Sequence, residues 1–135
     1  MEDGYEKPFE IWGKYKRVLH SGNGKVLFHE REVWWCSLGI NVGSEQDGKH
    51  EYFERPVLIL KKFSRDVFLA APITSNQRIG PYYFQLPIKG KQGSIVLSQI
   101  RTVSVKRLNR LMCKIPQNHF EEIRERLCYI IKHHI

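Results

Sequence analysis

The chain has 135 residues, 41% of them hydrophobic and 27% charged, with a net charge of +8. That length suits one domain with a modest core, and that mix suits a globular chain rather than a disordered or fibrous one. The longest apolar runs, Val57 to Leu60 and Val67 to Ile73, are far too short to span a bilayer, and Glu2-Asp3-Gly4 does not open a signal peptide, so no membrane association is expected. Three cysteines, Cys36, Cys113 and Cys128, with no CxxC spacing, argue against a disulfide framework and fit a reducing cytoplasm. The positive charge is concentrated. Residues 61–115 carry 11 Lys/Arg against 1 Asp/Glu, whereas residues 32–60 carry 2 against 5. A surplus confined to one segment points to a polyanionic partner, nucleic acid above all.

In chain order, residues 8–20 read as a short helix. Pro8 suits a first helical position, and Phe9, Trp12, Tyr15 and Leu19 recur at helical spacing before Ser21-Gly22-Asn23-Gly24 breaks the pattern. Strands are predicted over 32–38, 55–62, 67–73, 82–88, 94–103 and 108–115, with a glycine-bounded turn at 89–93. In the first, Val33, Trp35 and Ser37 share one face, and Trp34, Cys36 and Leu38 the other. Pro56 at the start of the second strand loses only a terminal ladder bond. A C-terminal helix follows Pro116, with Asn118 as N-cap, Glu121 as its capping-box partner, and Phe120, Ile123, Leu127, Ile130 and Ile131 as its apolar face. Short strands at hairpin spacing, then one helix, predict an α+β domain: a small curled antiparallel sheet or barrel with the helix packed on it. Residues 1–30 would be a helical extension and 31–135 the main domain.

Six histidines, at 20, 29, 50, 119, 133 and 134, offer no pair at ligand spacing, so no metal site and no cofactor are expected. No Gly-x-Ser-x-Gly nucleophile elbow and no phosphate-binding glycine loop occur. What stands out is a polar loop, Gly43-Ser44-Glu45-Gln46-Asp47-Gly48-Lys49-His50-Glu51-Tyr52-Phe53-Glu54, that runs into Arg55-Pro56 and then into purely apolar sequence. A second feature is Thr74-Ser75, two hydroxyls where the next buried strand emerges. If these strands form an antiparallel hairpin, Arg55 and Thr74 meet at one rim of the sheet. Arginine plus hydroxyls on rigid strands is a phosphate-binding arrangement. The residues alone leave open the plainer alternative, in which Arg55 pairs with Glu54 or Glu45 and Thr74 only ends a strand.

Four ordered motifs carry a resemblance. Gly43-Ser44-Glu45-Gln46, Arg55-Pro56-Val57-Leu58-Ile59, Ala71-Pro72-Ile73-Thr74-Ser75 and Val96-Leu97-Ser98-Gln99-Ile100-Arg101-Thr102 together resemble the MazF/PemK/Kid family of toxins from bacterial toxin–antitoxin modules. The likeness runs from about Glu32 to the C-terminus. It implies an SH3-like antiparallel barrel with a C-terminal helix, a homodimer, and a cytoplasmic endoribonuclease that cuts single-stranded RNA at preferred sequences without metal until a cognate antitoxin neutralises it. It also implies that Arg55 and Thr74 are catalytic and that Ser44, Glu45, Gln46, Lys61, Ser75, Gln99 and Arg101 contact RNA. The same fold also carries gyrase-binding toxins and suits a plain nucleic-acid-binding module, so a non-catalytic role is the alternative. The chain departs from the pattern where Lys49 to Glu54 separate the loop glycine from Arg-Pro. That insertion is expected to act as a lid, with Tyr52 or Phe53 stacking on a base or capping the groove and Glu51 and Glu54 repelling phosphates. Tyr82, Tyr83 and Phe84 are further candidates for stacking on bases.

Overall fold

The computed structural model describes residues 7–21, 26–39 and 53–133. In order, these form α1 (Phe9–Ser21), β1 (Glu32–Ser37), β2 (Glu54–Lys62), β3 (Val67–Thr74), β4 (Tyr83–Ile88), β5 (Lys91–Val96), β6 (Arg101–Ser104), β7 (Leu108–Lys114) and α2 (Gln117–Lys132), with single 3-10 turns at Leu97–Gln99 and Val105–Arg107. The strands make one curled antiparallel sheet in the order β4-β5-β3-β2-β1-β7, and β6 also pairs with β3. The class is α+β, as the spacing predicts.

The sheet curls because β3 serves three neighbours. Its first half pairs with β6, Ala70 facing Arg101, and its last two residues pair with β5, Thr74 facing Ser94. The sequence pattern predicts one strand over 94–103. The structure instead breaks it with the three-residue 3-10 turn at Leu97–Gln99, which shifts the register against β3 by those three residues. The break lets β5 turn away to pair with β4, and the turn between β4 and β5 shrinks to Lys89 and Gly90.

Both faces of the sheet are buried, which explains why β1 and β2 lack polar alternation. One face carries Val33, Leu58, Ala71, Ile73, Leu86 and Ile95 and is covered by Phe120, Ile123 and Leu127 of α2. The inner face of the curl encloses Phe28, Trp34, Cys36, Val57, Ile59, Phe68 and Val103. The α2 helix departs from expectation at both ends. Pro116 occupies the N-cap position with no side-chain cap, and its carbonyl accepts the Phe120 N–H at 3.0 Å. The predicted Asn118–Glu121 capping box does not form; Gln117 Nε2 donates to Glu121 Oε1 at 2.7 Å instead. At the other end Ile130 is half-buried, but Ile131 is 70% exposed, because the last turn has run past the apolar surface.

The α1 helix packs through Trp12, with Tyr15 and Leu19 partly buried beside it, and leaves Phe9 exposed. Trp12 sits directly on Gly39, whose φ of +79° and missing Cβ permit the approach. Its ring centroid lies 5.4 Å from that of Phe53, and the Gly39 N–H donates to the Phe53 carbonyl at 3.0 Å. Phe53, read from sequence as a cap over the groove, is therefore buried under α1. Its aromatic ring found a local apolar partner.

Candidate active site

A cleft of about 670 Å³ opens at the rim where β1, β2, β3 and β7 meet the β4–β5 turn. The β2–β3 ladder builds its floor. The ladder's last pair is Val57 with Pro72, and Arg55 and Thr74 lie two residues beyond it on their strands, at the rim. Both line the cleft and both are buried, at 8% and 5% exposed. The Arg55 guanidinium donates to the Ile73 carbonyl at 3.3 Å, which anchors it to the neighbouring strand. Thr74 Oγ1 accepts the Asn76 N–H at 3.3 Å, which leaves its own hydroxyl proton to donate into the cleft. Ser75 also lines the cleft and is exposed.

Glu54 decides the electrostatics. Its carboxylate is 6% exposed and accepts from Arg110 Nη2 at 2.9 Å, Arg110 Nη1 at 3.1 Å and Asn109 Nδ2 at 2.9 Å. Asn109 Nδ2 also donates to Ser37 Oγ at 2.9 Å, and Arg110 lies over the Trp35 ring at 4.9 Å. The carboxylate that sequence reading offers as a partner for Arg55, or as a repeller of phosphates, is thus spent on Arg110. Among the described residues, Lys89, Lys91, Arg55 and Arg110 line the cleft, and Glu54 is the one acidic side chain that does. A concave site with four cations and one already paired anion favours an anionic ligand. Among the described residues no three His, Cys, Asp or Glu side chains gather as metal ligands would.

The family model of PemK-like, MazF-like toxins of type II toxin–antitoxin systems matches residues 29–131. The chain belongs to that family. Solved structures with the same fold include MazF from Deinococcus radiodurans, at a TM-score of 0.63 and 19% identity over 81% of this chain and 100% of that one. A MazE–MazF complex from the same organism matches at 0.61 and 17%, over 82% and 100%. An endoribonuclease bound to its cognate antitoxin from a mycobacterial species matches at 0.59 and 17%, over 76% and 92%. At these identities the likeness is one of fold. No curated protein sequence matches the chain.

The toxin's remaining candidate residues scatter. Ser44, Glu45 and Gln46 lie outside the described residues, as do His50, Glu51 and Tyr52. Lys61 sits near the far end of β2, exposed and 4.0 Å from Glu30, six residues of strand away from Arg55. Gln99 ends the 3-10 turn after β5, and neither it nor Arg101 lines the cleft. Arg101 opens β6 on the inner face, where it and Arg107 are both close enough to act on the Cys36 thiol. Burial, with repulsion from Arg101, holds the Arg107 guanidinium below its ordinary pKa. Of the three aromatics proposed to stack on bases, Phe84 belongs to the core at 9% exposed, because the alternation of β4 turns it inward, and none lines the cleft. Sequence reading missed Trp35, Lys89, Lys91 and Arg110 as cleft residues; the basic surplus of residues 61–115 held three of them without marking which.

Proposed function

We propose that this toxin is a metal-independent endoribonuclease that cuts single-stranded RNA at preferred sequences in the cytoplasm. It acts as a homodimer and is neutralised by a cognate antitoxin. The observation that carries the reading is the meeting of Arg55 and Thr74, both buried and each held in place by a backbone hydrogen bond, in a cleft with excess positive charge. A pure binding module has no need of a buried arginine beside an oriented hydroxyl. Two of the structures with the same fold, one an endoribonuclease with its antitoxin and one MazE with MazF, agree with it.

RNA brings its own nucleophile. The ribose 2′ oxygen attacks the adjacent phosphorus, the bond from phosphorus to the 5′ oxygen breaks, and the products are a 2′,3′-cyclic phosphate and a 5′-hydroxyl. The proton lost by the 2′ oxygen balances the one gained by the leaving oxygen. Arg55 stabilises the negative charge that builds on the phosphorane, because a guanidinium grips two oxygens at once. Thr74 donates to a non-bridging oxygen and fixes the phosphate in line. DNA lacks the 2′-hydroxyl, so it binds uncut.

The test is expression of variants with RNA mapping. Arg55→Ala abolishes growth inhibition and RNA cleavage in a protein whose circular dichroism matches the parent, with a loss on the order of a hundred-fold or more in rate. Arg55→Lys also fails, because a point charge lacks the fork. Toxicity of Arg55→Ala equal to the parent's would refute the assignment.

A further inference from the structure

Arg110 is a cleft cation whose orientation is fixed although it is exposed. Its side chain is 54% exposed, yet its guanidinium is fixed three ways: both terminal nitrogens are held by Glu54, and its plane lies over Trp35. Glu54 is itself buried and anchored by Asn109, which is tied to Ser37. A surface arginine held only for stability rarely needs so much support, since exposed ion pairs contribute little. An arginine held for recognition does, because an orientation fixed in advance reduces the freedom lost on binding.

Resting on the reading of the cleft as an RNA site, we propose that Arg110 is a second phosphate-binding residue, held by Glu54, Asn109 and Trp35 to take a backbone phosphate next to the one at Arg55. The bidentate contact with Glu54 uses two of the five guanidinium N–H groups. Three donors remain for an incoming phosphate. The strand register gives the spacing. Trp35 faces Pro56 on one side and Arg110 on the other, so Arg110 stands two strands away from the residue after Arg55. Two strand spacings come to roughly 10 Å. The two guanidiniums are anchored on different partners, Arg55 on the Ile73 carbonyl and Arg110 on Glu54, and so present separate sets of donors to neighbouring phosphates. Glu54 cancels much of the Arg110 charge, while Lys89 and Lys91 on the facing wall keep the cleft positive. Arg110 thus acts less as bulk attraction than as a register pin, fixing which linkage reaches Arg55. Glu54 and Asn109 are positioning residues for it.

The experiment measures binding, separate from cleavage. A short fluorescein-labelled single-stranded DNA of random sequence is titrated with the parent, Arg110→Ala and Arg110→Lys across a range of salt, with anisotropy as readout. Arg110→Ala is expected to lose on the order of tenfold in affinity, as when a charge-assisted hydrogen bond is removed. Its plot of log affinity against log salt should flatten by about 0.7, the share of one single-strand phosphate. Arg110→Lys should recover the slope but only part of the affinity, since a lysine keeps the charge and loses the fork. A packing role for Arg110 would leave the slope alone, so an unchanged slope in a folded Arg110→Ala protein overturns this inference and leaves the Arg55 reading standing. A parent that binds no single strand at all overturns the nucleic-acid reading of the cleft and this inference with it.

Discussion

Gly39→Ala tests how the N-terminal helix is attached, and its cost follows from two terms. Gly39 has a φ of +79°, which an L-residue adopts at a cost of roughly 1–2 kcal/mol. In addition, a Cβ at Gly39 would overlap the Trp12 ring, so the ring must move. Trp12 is 6% exposed and packs on Phe53, and complete loss of such a side chain costs about 3–5 kcal/mol as an upper bound. Partial undocking by Gly39→Ala should therefore bring the total to roughly 2–4 kcal/mol. In a Trp12→Ala background the clash has no target, and the same substitution should cost only the roughly 1–2 kcal/mol of backbone strain. Urea unfolding of the four proteins of this double-mutant cycle gives the coupling, expected at about 1–3 kcal/mol. Additive costs would show that Trp12 does not rest on Gly39 and that α1 is not docked as described.

Other outcomes follow from single residues. Thr74→Val, which keeps shape and loses the hydroxyl, should cut RNA much more slowly, whereas Thr74→Ser should recover most of the rate; equal rates for both would remove the hydroxyl from the mechanism. Burial pushes the Cys36 thiol from 9.0 up to about 12, while Cys128 is exposed, so a thiol reagent at pH 8 should label Cys128 quickly and Cys36 only on unfolding. Because that pKa is raised in the folded state, the associated stability is intact below pH 9 and should fall by about 1.4 kcal/mol per pH unit above it, up to about 12. A Cys36→Ala protein that keeps the same alkaline slope would assign the loss to another group.

Much of the scaffold was legible because β1, β2 and β3 are short apolar runs between clear punctuation. The pairing of Arg55 with Thr74 needed only hairpin arithmetic. The break between β5 and β6 was not legible, since Val96-Leu97-Ser98-Gln99-Ile100 still alternates well enough to pass for strand, and the three surplus residues show only in the register with β3. The cleft's far wall was hidden for a related reason. Lys89, Lys91 and Arg110 come from the β4–β5 turn and from β7, brought to β2 by pairings that no local pattern specifies. Sequence neighbourhood misled twice. Glu54 neighbours Arg55 in sequence, but alternation along a strand separates adjacent side chains, and Arg110 reaches Glu54 across β1. Phe53 belongs to a polar insertion by sequence and to the α1 contact by structure.

The most direct measurement uses one long RNA in EDTA, with its cleavage ends mapped and their chemistry determined, followed by a short RNA carrying a single 2′-deoxy substitution on the 5′ side of a mapped cut. Metal-free attack by the 2′ oxygen predicts cleavage without divalent ions, 2′,3′-cyclic phosphate and 5′-hydroxyl ends, and no cut at the deoxy position. Cleavage that requires a divalent ion, or a cut that survives the missing 2′-hydroxyl, would contradict it.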